Sequence, residues 1–211
     1  MKFILGPLPE VPEFTPDDNW TTLQEPPMWG FQLRAIPIAI VATAVFALLW
    51  MLLTPVRHSL GTLTFPPPIL RNAVTIVGVI VVHELIHASL HPQFGLSKET
   101  VIGFFPSKMF VYTIFTGALT KTRCLIILLM PFVVISILPL IYAAVTQTAS
   151  LLLGYISVLN ALLGSGDLLA ASMTARMIPN GSIIRSKGWT SFYKRDVDTF
   201  MNRGNVVKQR L

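Results

Sequence analysis

Residues Ile69–Leu90 read ILRNAVTIVGVIVVHELIHASL, and this segment decides the fold. As a helix, about 20 apolar residues cross the roughly 30 Å hydrocarbon core of a bilayer, and Pro92 then ends the run. The segment nevertheless contains His83, Glu84 and His87. Each ionised residue inside a span costs roughly 2.5–3.5 kcal/mol. The segment therefore predicts a membrane helix in which a specific site compensates three polar side chains.

The composition of the whole chain agrees with a membrane protein. Hydrophobic residues make up 53% of the 211 residues and charged residues 12%, whereas soluble domains contain roughly 25% charged residues. So few charges cannot cover a water-exposed surface. Three further apolar runs are long enough to cross a bilayer, namely Ala35–Thr54, Cys124–Val145 and Leu151–Met173. We therefore predict an all-α membrane protein with about four transmembrane helices, contained in a domain of residues 34–173.

The segments outside these runs differ in character. Residues 1–33 are rich in proline and acidic side chains, and we interpret them as an extended N-terminal arm. Between the second and third spans, Thr100–Phe105 and Met109–Phe115 are rich in β-branched and aromatic residues, with a proline turn between them. This pattern predicts a short β-hairpin. A partly inserted helix is the alternative that periodicity leaves open.

The net charge of +6 is unevenly distributed and predicts an orientation. Residues 174–211 form a basic tail, which beside a span is typical of retention in the cytoplasm. An anionic lipid surface or a nucleic acid is the less common explanation, and we expect no nucleic-acid partner. Four spans put both termini on one side, so we predict a multi-pass protein of the cell membrane with both termini cytoplasmic. Arg57 and Arg71, in the first connection, agree less well with this topology.

His83-Glu84-Leu85-Ile86-His87 is an HExxH motif. Residues i and i+4 lie on one helical face, so both imidazoles can reach one Zn²⁺ at about 2.0–2.1 Å. Glu84 would then lie beside a water whose pKa zinc lowers towards roughly 7, and could take its proton. The alternative is that the segment only grazes the cytoplasmic interface with its polar face in water.

A catalytic zinc ion needs a third protein ligand and one open position. On a continuous helix His91 lies about 12 Å from His83, too far for one ion, and we interpret it as a polar residue at the membrane edge. Asp167 is the predicted third ligand, because a cation would offset the cost of this lone carboxylate in an apolar run; a structural hydrogen bond is the alternative. Asn160 lies two turns earlier on the same face. It could donate to a developing oxyanion or join two helices through its amide, and the sequence leaves both open.

With HELIH at residues 83–87 and with Asn160 and Asp167 on a later span, the chain resembles the site-2 protease class of intramembrane zinc metalloproteases. It is similar, more closely, to a related and poorly characterised family of small membrane zincin peptidases. That similarity rests on the HELIH-Ala start, a proline-containing third span and a Gly-rich segment leading into the aspartate. The resemblance covers roughly Ala73–Met173.

The resemblance implies that His83, His87 and Asp167 bind zinc, that Glu84 is the catalytic base and that Asn160 assists the substrate carbonyl. It also implies strands beside the active site, so we hypothesise that a strand of the hairpin holds an extended substrate; an ordinary interfacial loop is the alternative.

Site-2 proteases typically carry Asn-x-x-Pro followed by Leu-Asp-Gly. Here Leu163 replaces the proline, Gly166 precedes the aspartate and Leu168 follows it. These departures leave the predicted zinc ligands in place.

The sequence thus predicts a membrane-embedded zinc metallopeptidase, a hydrolase acting on membrane-protein or interfacial peptide substrates, with Zn²⁺ as its cofactor and the lipid bilayer around it. Two alternatives remain: a catalytically inactive metal-binding membrane adaptor and an ion transporter. Glu84 favours the enzyme, because metal binding alone does not need this carboxylate. A transporter is less expected in four spans without an evident internal repeat.

Overall fold

The computed structural model describes residues 1–56 and 69–195. Three of its helices are long and apolar enough to cross a membrane, and a bent helix pair adds a fourth crossing if it forms one span. Only 17%, 22% and 28% of the most apolar windows of the three spans is buried, so apolar side chains cover their outer faces. The helical elements are α1 Met28–Leu53, α2 Ile69–Leu90, α3 Lys121–Pro131, a π-helical segment Phe132–Ile137, α4 Leu138–Thr146, α5 Leu151–Leu163 and α6 Ser165–Met177.

The third span, Lys121–Thr146, is interrupted in its middle by the π-helical segment. Pro131 and Pro139 carry no N–H, so the carbonyl groups four residues earlier, of Ile127 and Ile135, lose the bonds that a regular helix would give them. A π turn is a common way to accommodate such an interruption. The interruption leaves backbone oxygens available to side chains from neighbouring helices.

The helix pair α5 and α6 bends by 49° at Gly164, which ends one helix and begins the next. A Cβ atom on Gly164 would lie 3.2 Å from the backbone oxygen of Asn160 and 3.4 Å from Cε1 of His83. The absence of a side chain therefore lets α2 approach the bend closely. Asp167 lies in the first turn of α6, where the helix dipole stabilises a carboxylate.

The first sheet has three strands, β1 Lys2–Leu5, β3 Thr100–Phe105 and β4 Phe110–Phe115, in the order β1-β3-β4. The predicted hairpin is confirmed, since β3 and β4 pair antiparallel along their whole length. The N-terminal arm adds β1 parallel to β3. The chain is mostly helical, as predicted, but it is not all-α, because the hairpin belongs to a three-stranded sheet and a second sheet is present.

A second sheet joins a strand of the N-terminal arm to strands of the C-terminal region, in the order β2-β7-β6-β5. Its strands are β2 Thr21–Thr22, β5 Leu119–Thr120, β6 Ser182–Lys187 and β7 Thr190–Arg195. Two of them lie in the segment 174–211 that the sequence marks as a basic tail. Two segments lie outside the described residues: the remainder of that tail, 196–211, and the connection 57–68, which contains Arg57 and three prolines. So does the side chain of Arg71.

The core has two parts. In the helical layer, Trp50 and its neighbours form a cluster of buried side chains, namely Phe46, Trp50, Val56, Leu140, Ala143 and Ala161. Beneath the second sheet, Leu23, Ile178 and Ile184 form a smaller cluster. Buried Lys121 joins the two layers, because its ammonium donates to the carbonyls of Ala175 and Ile178 and to the side chain of Asn180. These contacts fix the start of α3 against the end of α6 and the turn that precedes β6.

Candidate metal centre

Helix α2 and the first turn of α6 bring three potential metal ligands together. His83 and His87, one turn apart, are both buried, and Asp167 faces them. The Nε2 atom of His83 lies 2.8 Å from Oδ2 of Asp167 and 3.1 Å from Nε2 of His87. The Nε2 atom of His87 lies 3.4 Å from the same carboxylate oxygen. Ligand atoms of a tetrahedral zinc ion with bonds of 2.0–2.1 Å are about 3.3 Å apart, so this triangle fits one zinc ion.

Hydrogen bonds at the other ring nitrogens set the tautomers of both histidines. The Nδ1–H of His87 donates to the backbone oxygen of Ile127 at 2.9 Å, which can only accept. Nδ1 of His83 lies 2.8 Å from Oδ1 of Asn160. With Nδ1 as the donor, each Nε2 has a free lone pair. Two lone pairs and a carboxylate that converge on one point need a shared cation. Metal-binding histidines typically donate their other ring N–H to a carboxyl or carbonyl oxygen, as both histidines do here.

Asn160 is fully buried. Its amide nitrogen donates to the backbone oxygen of Pro131 at 3.2 Å and to Oγ of Ser136 at 2.9 Å, while its oxygen faces His83. Both amide hydrogens are thus engaged, and neither points to a substrate. These contacts favour the helix-joining alternative over donation to an oxyanion, and add an orienting contact to His83.

Behind Asn160 the polar contacts continue into the helical core. Oγ of Ser136 donates to the backbone oxygen of Ser157, and Oγ of Ser157 donates to that of Ser136, at 2.8 and 2.9 Å. The indole N–H of Trp50 donates to Oγ of Ser157 at 2.9 Å. This network ties α1, the π-helical segment and α5 to the metal centre. Sequence reasoning missed these three residues, although two serines inside apolar runs were the available signal.

Glu84 follows His83 on α2. It lines a cavity whose wall also includes the three potential ligands. Its Oε2 atom is buried without a hydrogen-bond partner among the described residues. A buried carboxylate oxygen without a partner is unfavourable, and a water molecule held next to the metal would satisfy it. The placement is the one expected of a base that acts on such a water.

The cavity has a volume of about 470 Å³ and lies between the metal cluster and the first sheet. Its wall includes Met109 and the residues of β4 from Phe110 to Ile114. Among the described strands β4 is one of the two edges of its sheet, because it pairs with β3 on one side only. Oγ1 of Thr113 donates to the backbone oxygen of Glu84 at 3.3 Å, which fixes this strand against the motif helix.

His91 lies outside the metal cluster, as expected. It is 2% exposed, with Nδ1 3.3 Å from Oγ1 of Thr100 and its ring packed against Phe115. Burial, together with the nearby charge of Arg123, lowers the pKa of His91 to about 4. It directly follows the candidate span that ends at Leu90, and its position at the membrane edge stays a prediction.

Glu25 is a residue of the cavity wall that the sequence did not single out. Its two carboxylate oxygens accept from the N–H and the hydroxyl of Ser191, at 2.8 and 3.0 Å. Burial raises the pKa of Glu25, and the two bonds to Ser191 partly oppose this effect.

Comparison with known proteins gives one match. The model of a family described as "Putative zincin peptidase" matches residues 76–182, about half of the chain. The match includes the HExxH helix, the hairpin and the helix of Asp167. No curated protein and no solved structure matches the chain significantly.

Proposed function

Since the chain belongs to the family described as "Putative zincin peptidase", we propose that it is a membrane-embedded zinc metallopeptidase that hydrolyses peptide bonds of membrane or interfacial protein substrates. His83, His87 and Asp167 would hold the ion. The observation that carries the proposal is the convergence of their three ligand atoms beside the unpartnered Oε2 of Glu84.

Zinc, when bound, supplies Lewis acidity that polarises a peptide carbonyl and acidifies a water molecule. Residues of the chain transfer the proton and orient the ligands. Glu84 accepts the proton of the attacking water at Oε2 and delivers it to the leaving amine. Asn160 and the carbonyl of Ile127 orient the two imidazoles and keep Nε2 free of a proton. In this scheme Asn160 positions His83 and does not contact the substrate.

The proposed location is the bilayer, with both termini on the cytoplasmic side of the cell membrane. Three long apolar helices with outward-facing apolar side chains support the embedding. The pairing of β2 with β7 supports a common side for the two ends, because it joins the N-terminal arm to the C-terminal region in one sheet. Arg185, Lys187 and Lys194 lie on that sheet, and positive charges of this kind favour the cytoplasm.

The free edge of β4 suits an extended substrate, which would add a strand to the sheet and place its backbone over the metal centre. The test uses a cleaved peptide in which single backbone amides are N-methylated, one at a time. Loss of cleavage at alternating positions supports strand addition. Equal cleavage of all the methylated peptides would exclude it.

The first experiment measures metal in detergent-purified protein by mass spectrometry. The variants are His87→Ala, Asp167→Ala and Glu84→Gln, with His91→Gln as the control histidine outside the cluster. We expect near-stoichiometric zinc in the wild type, Glu84→Gln and His91→Gln, and little in the other two. Peptide hydrolysis by the same preparations should be lost in Glu84→Gln despite its zinc.

Two results would contradict the proposal. If the wild-type protein holds no metal and cannot be loaded with it, the proposed peptidase activity is excluded. Full zinc occupancy without hydrolysis of any membrane or peptide substrate would favour the inactive metal-binding adaptor.

A further inference from the structure

A second cavity of about 170 Å³ adjoins the metal cleft. We call it the side chamber and define it by Cys124 and Ile127 of α3, Met173 of α6, and Ile178 and Ile184 beneath the second sheet. The two cavities share several wall residues, including Ile127 and Leu128. The side chamber is therefore a lateral extension of the cleft.

Ile127 links the side chamber to His87, one of the proposed metal ligands. The backbone oxygen of Ile127 accepts the Nδ1–H of His87 at 2.9 Å, and the side chain of Ile127 walls both cavities. An extended peptide advances roughly 3.4 Å per residue. A peptide with its carbonyl at the metal therefore has the side chain of a residue next to that bond within reach of the chamber.

The charged groups in the wall of the side chamber already have partners. Glu25 is held by Ser191, and Nε of Arg185 donates to the backbone oxygen of Thr116 at 3.0 Å. His91 has its pKa lowered to about 4 by burial and is neutral at pH 7. The remaining wall is largely aliphatic. Such a surface gains from apolar occupants and disfavours charged ones, which lose their hydration.

We propose that the side chamber is a specificity site that takes one large apolar side chain, of the size of leucine or phenylalanine, from a substrate residue adjacent to the cleaved bond. The inference rests on the proposed peptidase function, which it deepens by naming the substrate class. Pockets that recognise apolar side chains discriminate by roughly ten- to two-hundred-fold per group. We expect a preference of this order over alanine.

The chain contains one cysteine, Cys124, and it is half-buried in the wall of the side chamber. It provides a direct readout of occupancy. The Glu84→Gln variant is incubated with alanine-rich host peptides that carry one guest residue: alanine, leucine, phenylalanine, lysine or glutamate. Methyl methanethiosulfonate then modifies the thiol, and intact-protein mass spectrometry measures the rate. Fluorescence anisotropy verifies that each peptide is bound.

We expect leucine and phenylalanine guests to slow the modification of Cys124 roughly ten-fold or more relative to the alanine host, and lysine and glutamate guests to have little effect. Bound peptides that all leave the rate unchanged would overturn the proposal while leaving the peptidase intact. Protection chiefly by lysine would overturn it too, in favour of recognition through Glu25. If no peptide binds at all, the peptidase proposal itself fails.

Filling the chamber gives an independent test. Cys124→Trp should abolish the preference for large apolar residues among cleaved peptides while zinc content stays at the wild-type level. Ile126→Trp is the matched control, because Ile126 lies on the same helix but is 44% exposed on its outer face. An unchanged cleavage preference in Cys124→Trp would contradict the assignment.

Discussion

Replacing Asn160 by leucine should weaken zinc binding roughly ten- to a hundred-fold, equivalent to about 1.4–2.8 kcal/mol. Among the described residues, Oδ1 of Asn160 is the only hydrogen-bond partner of Nδ1 of His83, at 2.8 Å. Leucine has the same number of side-chain heavy atoms with the same branching but no acceptor. The imidazole of His83 would then lose the contact that fixes its ring and keeps the proton on Nδ1.

An aspartate at the same position separates the two contributions of Asn160. Asn160→Asp keeps an oxygen for His83 but removes the donors to the carbonyl of Pro131 and to Ser136. We expect zinc affinity to be retained, whereas thermal stability should fall, because each unpaired buried polar group costs roughly 1–3 kcal/mol. Ser136→Ala is the control: it removes one anchor of Asn160 and leaves the contact with His83 intact.

The assay is competition for zinc between the detergent-solubilised protein and a fluorescent chelator at pH 7, with circular dichroism to verify that each variant is helical. Wild-type affinity in a folded Asn160→Leu protein would refute the orienting role. A strongly lowered kcat with unchanged affinity in both variants would instead support direct participation of Asn160 in catalysis.

Three further predictions concern stability, followed by thermal unfolding in detergent. The unfolded chain protonates His91 near pH 6.5 and the folded chain only near a pKa of about 4, so the unfolding temperature should fall as the pH is lowered from 6.5 to 4. The fall should be less steep in His91→Asn, and an identical pH profile in this variant would contradict the assignment to His91. Gly95→Ala should destabilise by about 1–3 kcal/mol, since φ is +78° and a Cβ would collide with the carbonyl of Ala88, whereas Gly78→Ala, with open space around its Cβ, should not; equal effects would refute the steric argument. Lys121→Met should lower the unfolding free energy by about 1.5–3 kcal/mol by leaving three oxygen acceptors without their charged donor, and an unchanged midpoint would show that water replaces the ammonium.

Local sequence was sufficient to identify the long apolar helices and the residues of the candidate metal cluster. The HExxH spacing fixes His83 and His87 on one helical face wherever the helix lies. Asp167 was identifiable because a lone carboxylate in an apolar run needs a compensating cation, and the structure places it 2.8 Å from His83. Zinc binding by this cluster stays a prediction. Both signals, the HExxH spacing and the lone carboxylate, can be read from the sequence alone.

The sheets were not predictable in the same way, apart from the β3–β4 hairpin. Strands β2 and β5 have two residues each, too few for any periodicity, and β1 finds its partner about a hundred positions along the chain. The role of Asn160 was similarly open, because its neighbours Pro131 and Ser136 come from another helix. Partners that are distant in sequence determine both the sheets and the contacts of Asn160.

The irregularities of the helices supply the backbone acceptors of the candidate metal centre. In a membrane, regular helices satisfy their own backbone groups and leave few free acceptors. Pro131 has no N–H to offer the carbonyl of Ile127, and that carbonyl fixes the tautomer of His87 instead. One turn later, the carbonyl of Pro131 accepts from Asn160, which holds His83. The proline in the third span thus serves both histidines at once. A helix without it would present the same ligands but would lack the acceptors that orient them.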